Sequence, residues 1–206
     1  MTPSLPALTA RAPRAAAVAI ALCLLSLLPP AARAQAPAGA AAPPALVLVV
    51  RHAEKVDNSD DPALSAAGMA RANALAEALS DAGVAHVIVT HRQRTRLTAA
   101  PLMTSLGLEP EVVPFGRDMD EHVRNVAAAV RRQAGRVVLV VGHSNTVPMI
   151  VHALGGPRMP DLCDARYGGL FAVVPRTVGT PAGVIVSSFG VPDPPEALTC
   201  AGMVPR

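Results

Sequence analysis

A chain of 206 residues, 51% hydrophobic but only 2% aromatic, is long enough to bury one good core and has to build it from Ala, Val and Leu. Its formal charge of +3 comes from the first 34 residues, where Arg11, Arg14 and Arg33 face no acid, so the remainder is neutral. That neutrality excludes nucleic-acid binding through net positive charge.

From the N-terminus, Arg11 and Arg14 precede an apolar run, Ala15 to Leu28, which Pro29 and Pro30 end. Ala32-Arg33-Ala34 follows as a small-x-small cleavage site, so residues 1–34 read as a signal peptide. The apolar run has 14 residues, whereas a membrane-spanning helix needs roughly 20. Leu22 before Cys23 does not fit a lipoprotein site. Residues 35–44 form a Pro/Ala-rich linker, residues 45–190 the folded domain and residues 191–206 a Pro-rich tail.

Within the domain, ALVLVV (45–50) is a continuous apolar run of strand length, as expected of a strand buried on both faces. Ser65 is an N-cap for a helix over 65–83, with Leu64, Ala67, Met69, Ala72, Leu75 and Leu79 on its apolar side. VAHVIVT (84–90) is a second buried strand. Residues 92–107 are helical, with Pro101 bending the helix or starting a second segment. EVVPF (111–115) is a short strand, and 118–135 a helix ended by Gly135. RVVLVVGHS (136–144) is a strand that turns at Gly142. The next helix has Ser144 near its N-cap and Pro148 in or near its first turn, and Gly155-Gly156 end it. LFAVV (170–174) and GVIVSS (183–188) close the sheet. This alternation predicts an α/β fold, a three-layer α/β/α sandwich with a mostly parallel central sheet.

Ligands of such sheets bind outside the carboxyl ends of the strands. Three polar clusters fall there: RHAEK (51–55), THRQR (90–94) and GHSN (142–145). They offer Arg51, His52, His91, Arg92, Arg94 and His143, with Arg96 just beyond, but no nucleophile-elbow serine and no phosphate-binding P-loop. Arginine forks pair with phosphate oxygens. Neighbouring cations keep an imidazole unprotonated, and a neutral imidazole can attack phosphorus.

LVLVVRHAEK, RTRLTAAPL and VLVVGHSNTVP, in that order, resemble the three signature blocks of the histidine phosphatase superfamily, the phosphoglycerate mutase-like fold. The resemblance covers about Ala45 to Ser188. It implies that His52 is the nucleophile, that Arg51 and Arg94 bind phosphate, and that His143 donates to phosphoryl oxygens. It also implies that no metal or other cofactor is needed. Ala53 and Thr90 stand where Gly and Ser are common. The proton donor has no surrounding motif, and Asp118, Asp120 and Glu121 are its candidates.

The expectation is an exported phosphatase, periplasmic or secreted, that forms a phosphohistidine. Its partner would be a phosphorylated small molecule or a phosphoprotein. No nucleic acid and no stable membrane insertion after signal cleavage are expected. The alternatives are a phosphoglycerate mutase-like phosphotransferase and a non-catalytic phospholigand-binding module.

The remaining residues carry plainer expectations. His86 and His152 read as structural, and His91 and His122 as exposed loop or helix histidines, the alternative being that they line the rim of the site. Glu54 and Lys55 orient the first block or form a solvated pair. No histidine lies four residues from another, and no Cys pair has zinc-ligand spacing. Cys163 and Cys200 are expected to be disulfide-linked in exported protein, the alternative being two small fillers.

Overall fold

The computed structural model describes residues 46–175 and 181–198. The leader over 1–34, the linker over 35–44 and Cys200 lie outside the described residues. The elements are β1 (Leu46–Arg51), α1 (Ala66–Ala78), β2 (Val84–Val89), α2 (Gln93–Leu106), β3 (Pro110–Val112) and α3 (Met119–Arg131). They continue with β4 (Val137–Gly142), α4 (Thr146–Ala153), β5 (Gly169–Val174), β6 (Gly183–Ser188) and a 3-10 turn over Pro195–Leu198.

The strands form one sheet in the order β3-β2-β4-β1-β5-β6. β1, β2, β3 and β4 are parallel to their neighbours in that order, and β5 and β6 add an antiparallel edge. The apolar runs of β1 and β4 are buried on both faces because helices cover both. Val47, Val49, Val138 and Val140 pack with α3 and α4 residues such as Val126 and Ile150. Leu48, Val50, Leu139 and Val141 pack with Leu75 of α1 and Leu102 of α2. Each fully buried valine or leucine contributes roughly 1.5–3 kcal/mol relative to exposure. The three-layer, mostly parallel fold is therefore as expected.

Local details differ from expectation. Ala67 and Met69 of α1 are exposed, and the helix instead turns Gly68, Arg71, Ala72 and Leu75 inward. Gly68 lies so close to the backbone after β1 that an added Cβ would sit 2.2 Å from the Glu54 carbonyl oxygen. Arg71 is buried because its guanidinium holds the Glu54 carboxylate. α2 is one helix with Pro101 inside it, and no second segment starts there. The N-cap of α4 is Asn145, so Ser144 is next to it and Pro148 is in the first turn, as expected. β3 begins at Pro110 and ends at Val112, which releases Phe115 from the sheet.

Candidate active site

The pairing of β1 with β4 brings the first and third polar clusters together. Arg51 is in register with Gly142, and the His52 amide donates to the Gly142 carbonyl at 2.9 Å. The residues that follow, His52 and His143, therefore leave adjacent strand ends at the same level. Their rings meet edge to face with centroids 5.4 Å apart. Gly142 lets α4 start this close, since a Cβ there would lie 3.0 Å from the Thr146 hydroxyl and 3.2 Å from a Val147 methyl. That hydroxyl accepts the His143 amide at 2.9 Å.

His52 is 4% exposed. Its Nδ1 lies 2.8 Å from the Ala53 carbonyl oxygen, which can only accept. The ring proton therefore sits on Nδ1 and the lone pair on Nε2. Burial, reinforced by Arg51, Arg94 and Lys55, pushes the pKa down to about 3, against the opposing Ala53 hydrogen bond. The adjoining backbone is fixed by Thr98, whose hydroxyl accepts the Ala53 amide at 2.9 Å and donates to the Arg94 carbonyl at 2.7 Å.

A second hydroxyl chain sets the His143 tautomer. The Thr95 hydroxyl donates to the Arg92 carbonyl at 2.8 Å, and Thr90 Oγ1 lies 3.1 Å from Thr95 Oγ1. Thr90 then receives the proton of His143 Nε2 across 3.2 Å. His143 Nδ1 is left as an acceptor toward Arg94 Nη2 at 3.4 Å. Burial, with His52 and Arg94 next in weight, pushes its pKa down to about 2. Thr90, at the position where serine is common, thus orients the second histidine.

Of the three alternating arginines, Arg94 reaches the histidine pair. Arg92 is turned to Asp60 at 2.6 Å, and Arg96 is exposed. Arg51 is 4% exposed and anchored from far along the chain. Its Nη1 lies 2.7, 3.0 and 3.1 Å from the carbonyl oxygens of Cys163, Asp164 and Arg166. Its guanidinium stacks 4.1 Å over the Tyr167 ring, itself 6.3 Å from His52. The buried Nε–H groups of Arg51 and Arg94 have no hydrogen-bond partner among the described residues. Such donors are costly to leave unpaired, and an oxyanion satisfies them. The structure thus brings His52, Arg51, Arg94 and His143 together.

One further expectation is corrected, and two pairs of alternatives are narrowed. His122 is 2% exposed, not a surface histidine. Its ring packs edge to face on Phe115, which in turn packs on His143. It shares the buried face of α3 with Val126, one turn further on. Glu54 and Lys55 do not pair with each other: Glu54 holds Arg71, and Lys55 donates to Asn58 at 3.0 Å. No fillers' role remains for Cys163, which is disulfide-bonded. Its expected partner, Cys200, lies outside the described residues. His86, on β2, pairs with Glu111 on β3 at 2.8 Å.

Asp118, Asp120 and Glu121 are all exposed. Asp118 is committed as the N-cap of α3, accepting the amides of Asp120 and Glu121. Asp118 and Asp120 line a cavity of about 730 Å³ with Arg117, Met119, Met149 and Arg158 among its other walls. Two contacts place this cavity beside the turn that carries His143. Asn145 donates to the Met119 sulfur at 3.0 Å, and the Leu162 amide, next to lining residue Asp161, donates to the Ser144 carbonyl at 2.9 Å.

Sequence reasoning missed Tyr167, the 163–166 carbonyls and Asp193. Asp193 accepts the amides of Tyr167 and Gly168 and lies 3.6 Å from Arg71. None is near the signature blocks in sequence, so no local pattern marks them.

Residues 47–121 match the family model of the histidine phosphatase superfamily (branch 1). No curated protein matches the chain. Among solved structures, the protein histidine phosphatase SixA in complex with tungstate is similar, with 18% identity and a TM-score of 0.54 over 69% of this chain and 96% of that one. A mycobacterial glucosyl-3-phosphoglycerate phosphatase in complex with VO3 has 15% identity and a TM-score of 0.55 over 70% and 98%. An Escherichia coli protein assigned as an alpha-ribazole-5'-P phosphatase has 17% identity and a TM-score of 0.55 over 71% and 100%.

Proposed function

For a chain whose residues 47–121 match the model of the histidine phosphatase superfamily, we propose a phosphatase that hydrolyses phosphomonoesters through a phosphohistidine at His52. The observation that carries this reading is the pairing of a free imidazole lone pair with partnerless cationic donors. His52 Nε2 is unprotonated, and the buried Nε–H groups of Arg51 and Arg94 await an anion. Two of the similar structures hold tungstate and VO3, oxyanions of the class this cradle suits.

In the proposed reaction, Nε2 of His52 attacks phosphorus and the ester P–O bond breaks. Arg51 and Arg94 stabilise the charge on the equatorial oxygens. The arriving dianion raises the His143 pKa, so that Nδ1 takes a proton from solvent, donates it in a hydrogen bond to a phosphoryl oxygen, and gives it back to solvent when phosphate leaves. The leaving oxygen takes its proton from Asp120, the carboxyl that lines the adjoining cavity without capping a helix. Water then attacks phosphorus and passes one proton to Asp120, while the P–N bond breaks with its electron pair returning to His52 Nε2 and hydrogen phosphate leaves. The two guanidinium groups supply the positive charge, and no metal ion enters the scheme. The leader over 1–34 and the disulfide at Cys163 support an exported, periplasmic or secreted protein. The cavity lined by Asp118 and Asp120, next to the turn that carries His143, supports a phosphorylated small molecule as the substrate.

Turnover of an aryl phosphate by purified protein treated with chelator tests this reading. Steady phosphate release is expected. Tight tungstate binding without turnover would make the protein a binding module, and transfer to a sugar phosphate in place of water would make it a mutase.

A further inference from the structure

The guanidinium of Arg51 is seated on a segment with no helix or strand of its own. Between α4 and β5 the chain runs irregularly, and Cys163–Arg166 closes a turn in which the Arg166 amide donates to the Cys163 carbonyl at 2.9 Å. That same carbonyl is the nearest of the three that receive Arg51 Nη1, at 2.7 Å. Turn closure and guanidinium anchoring therefore share one oxygen, and it belongs to a disulfide-bonded residue. The far end of the seat is tied differently. The Asp193 carboxylate accepts the Tyr167 and Gly168 amides, and buried Arg71 braces it. The Cys163 end is tied by the disulfide and by its neighbour Leu162, whose side chain is buried and whose amide donates to the Ser144 carbonyl at 2.9 Å, while the side chains of Asp164 and Ala165 in between are exposed.

We infer that the disulfide at Cys163 positions Arg51, so that oxyanion binding at His52 depends on the thiol–disulfide state of this bridge. The inference rests on the proposed phosphate-binding role of Arg51. An intact bridge fixes the turn, the three carbonyls fix Nη1, and the unpartnered Nε–H is held toward the anion. Without the bridge the irregular segment gains freedom, the carbonyls no longer converge, and the guanidinium loses its fixed direction. The cation is still present but no longer preorganised.

The test compares oxidised protein with protein that has been reduced, alkylated and freed of reductant. Dithiothreitol supplies two electrons and two protons, converting the bridge to two thiols and itself to a cyclic disulfide, and iodoacetamide then caps the thiols. Tungstate affinity and kcat/KM for an aryl phosphate are measured in both forms, in Cys163→Ser, and in Arg51→Ala with and without reduction. Opening the bridge should weaken tungstate binding and lower kcat/KM by about 10-fold, the scale of one lost charge-assisted hydrogen bond. In Arg51→Ala the same reduction should change neither, because coupled groups are non-additive. A bridge that serves stability alone would lower Tm yet leave tungstate affinity unchanged, or would act equally in both backgrounds, and either result overturns the inference. If Cys163→Ser does not fold, the alkylated wild type, with its fold checked by circular dichroism, supplies the comparison. Oxidised protein that neither binds tungstate nor turns over would instead remove the phosphatase reading, and the inference with it.

Discussion

His52 keeps its attacking nitrogen free by two separate means. The Ala53 carbonyl fixes the proton on Nδ1, and burial among cations opposes a second proton. The consequence is measurable without substrate. Long-range proton–nitrogen correlation spectra should show a neutral Nδ1–H tautomer at pH 7 that persists to pH 5, and an imidazolium by pH 6 would contradict the geometry. Stability follows the same shift. Unfolded His52 binds a proton below about 6.5, and the folded form only near 3. The unfolded chain therefore binds more protons across that window. Stability that is complete above 6.5 is lost as pH falls toward 3, at up to about 1.4 kcal/mol per unit for one such histidine. At the same scale, Asp120→Asn should slow hydrolysis of alkyl phosphates by roughly 100-fold, the usual contribution of a general acid. It should spare p-nitrophenyl phosphate, whose leaving group needs no proton. Equal losses on both substrates would remove Asp120 from that role.

At the level of elements, the joint between β1 and α1 carries the first signature block. Glu54, two residues after His52, has its carboxylate on Arg71 of α1 and its carbonyl against Gly68. An alanine at 68 would push the helix from the block, an overpacking that costs about 1–3 kcal/mol. Gly68→Ala should therefore lower Tm by several degrees and reduce kcat/KM as well, as read by thermal denaturation and aryl phosphate turnover. A variant of unchanged Tm would show that the joint is looser than described. Leu64, Ala72, Leu75 and Leu79 are buried as the periodicity of α1 predicts, and the same joint explains the two positions that differ. Periodicity favoured Ala67 and Met69, but the inward positions belong to a glycine chosen for close approach and an arginine chosen for Glu54, and neither carries an apolar signal. β1 and β4 were legible because a strand covered on both faces is apolar at every position.

For the molecule as a whole, sequence and structure agree where the argument is local to strand ends. His52, Arg51 and His143 follow apolar runs directly, and Arg94 opens the helix after β2, so chain order and parallel topology suffice to bring them together. What supports them comes from elsewhere. The seat of Arg51 lies 112 to 115 residues away, and Asp193 reaches in from beyond β6. His122 was expected at the surface because a single polar residue in an amphipathic helix does not reveal which face it takes. Its burial follows from Phe115, which leaves the sheet after β3 and fills the space between His122 and His143.

The central claim is that phosphorus becomes bonded to His52. Rapid alkaline quenching of the protein during turnover of a labelled phosphomonoester tests it directly, because a phosphoryl–imidazole bond survives alkali and breaks in acid. The account predicts a labelled adduct on the peptide containing His52. It also predicts that His52→Ala has no turnover and no adduct yet still binds tungstate, while Arg94→Ala loses affinity and rate together. Near-normal turnover by His52→Ala, or label found on another peptide, would contradict it.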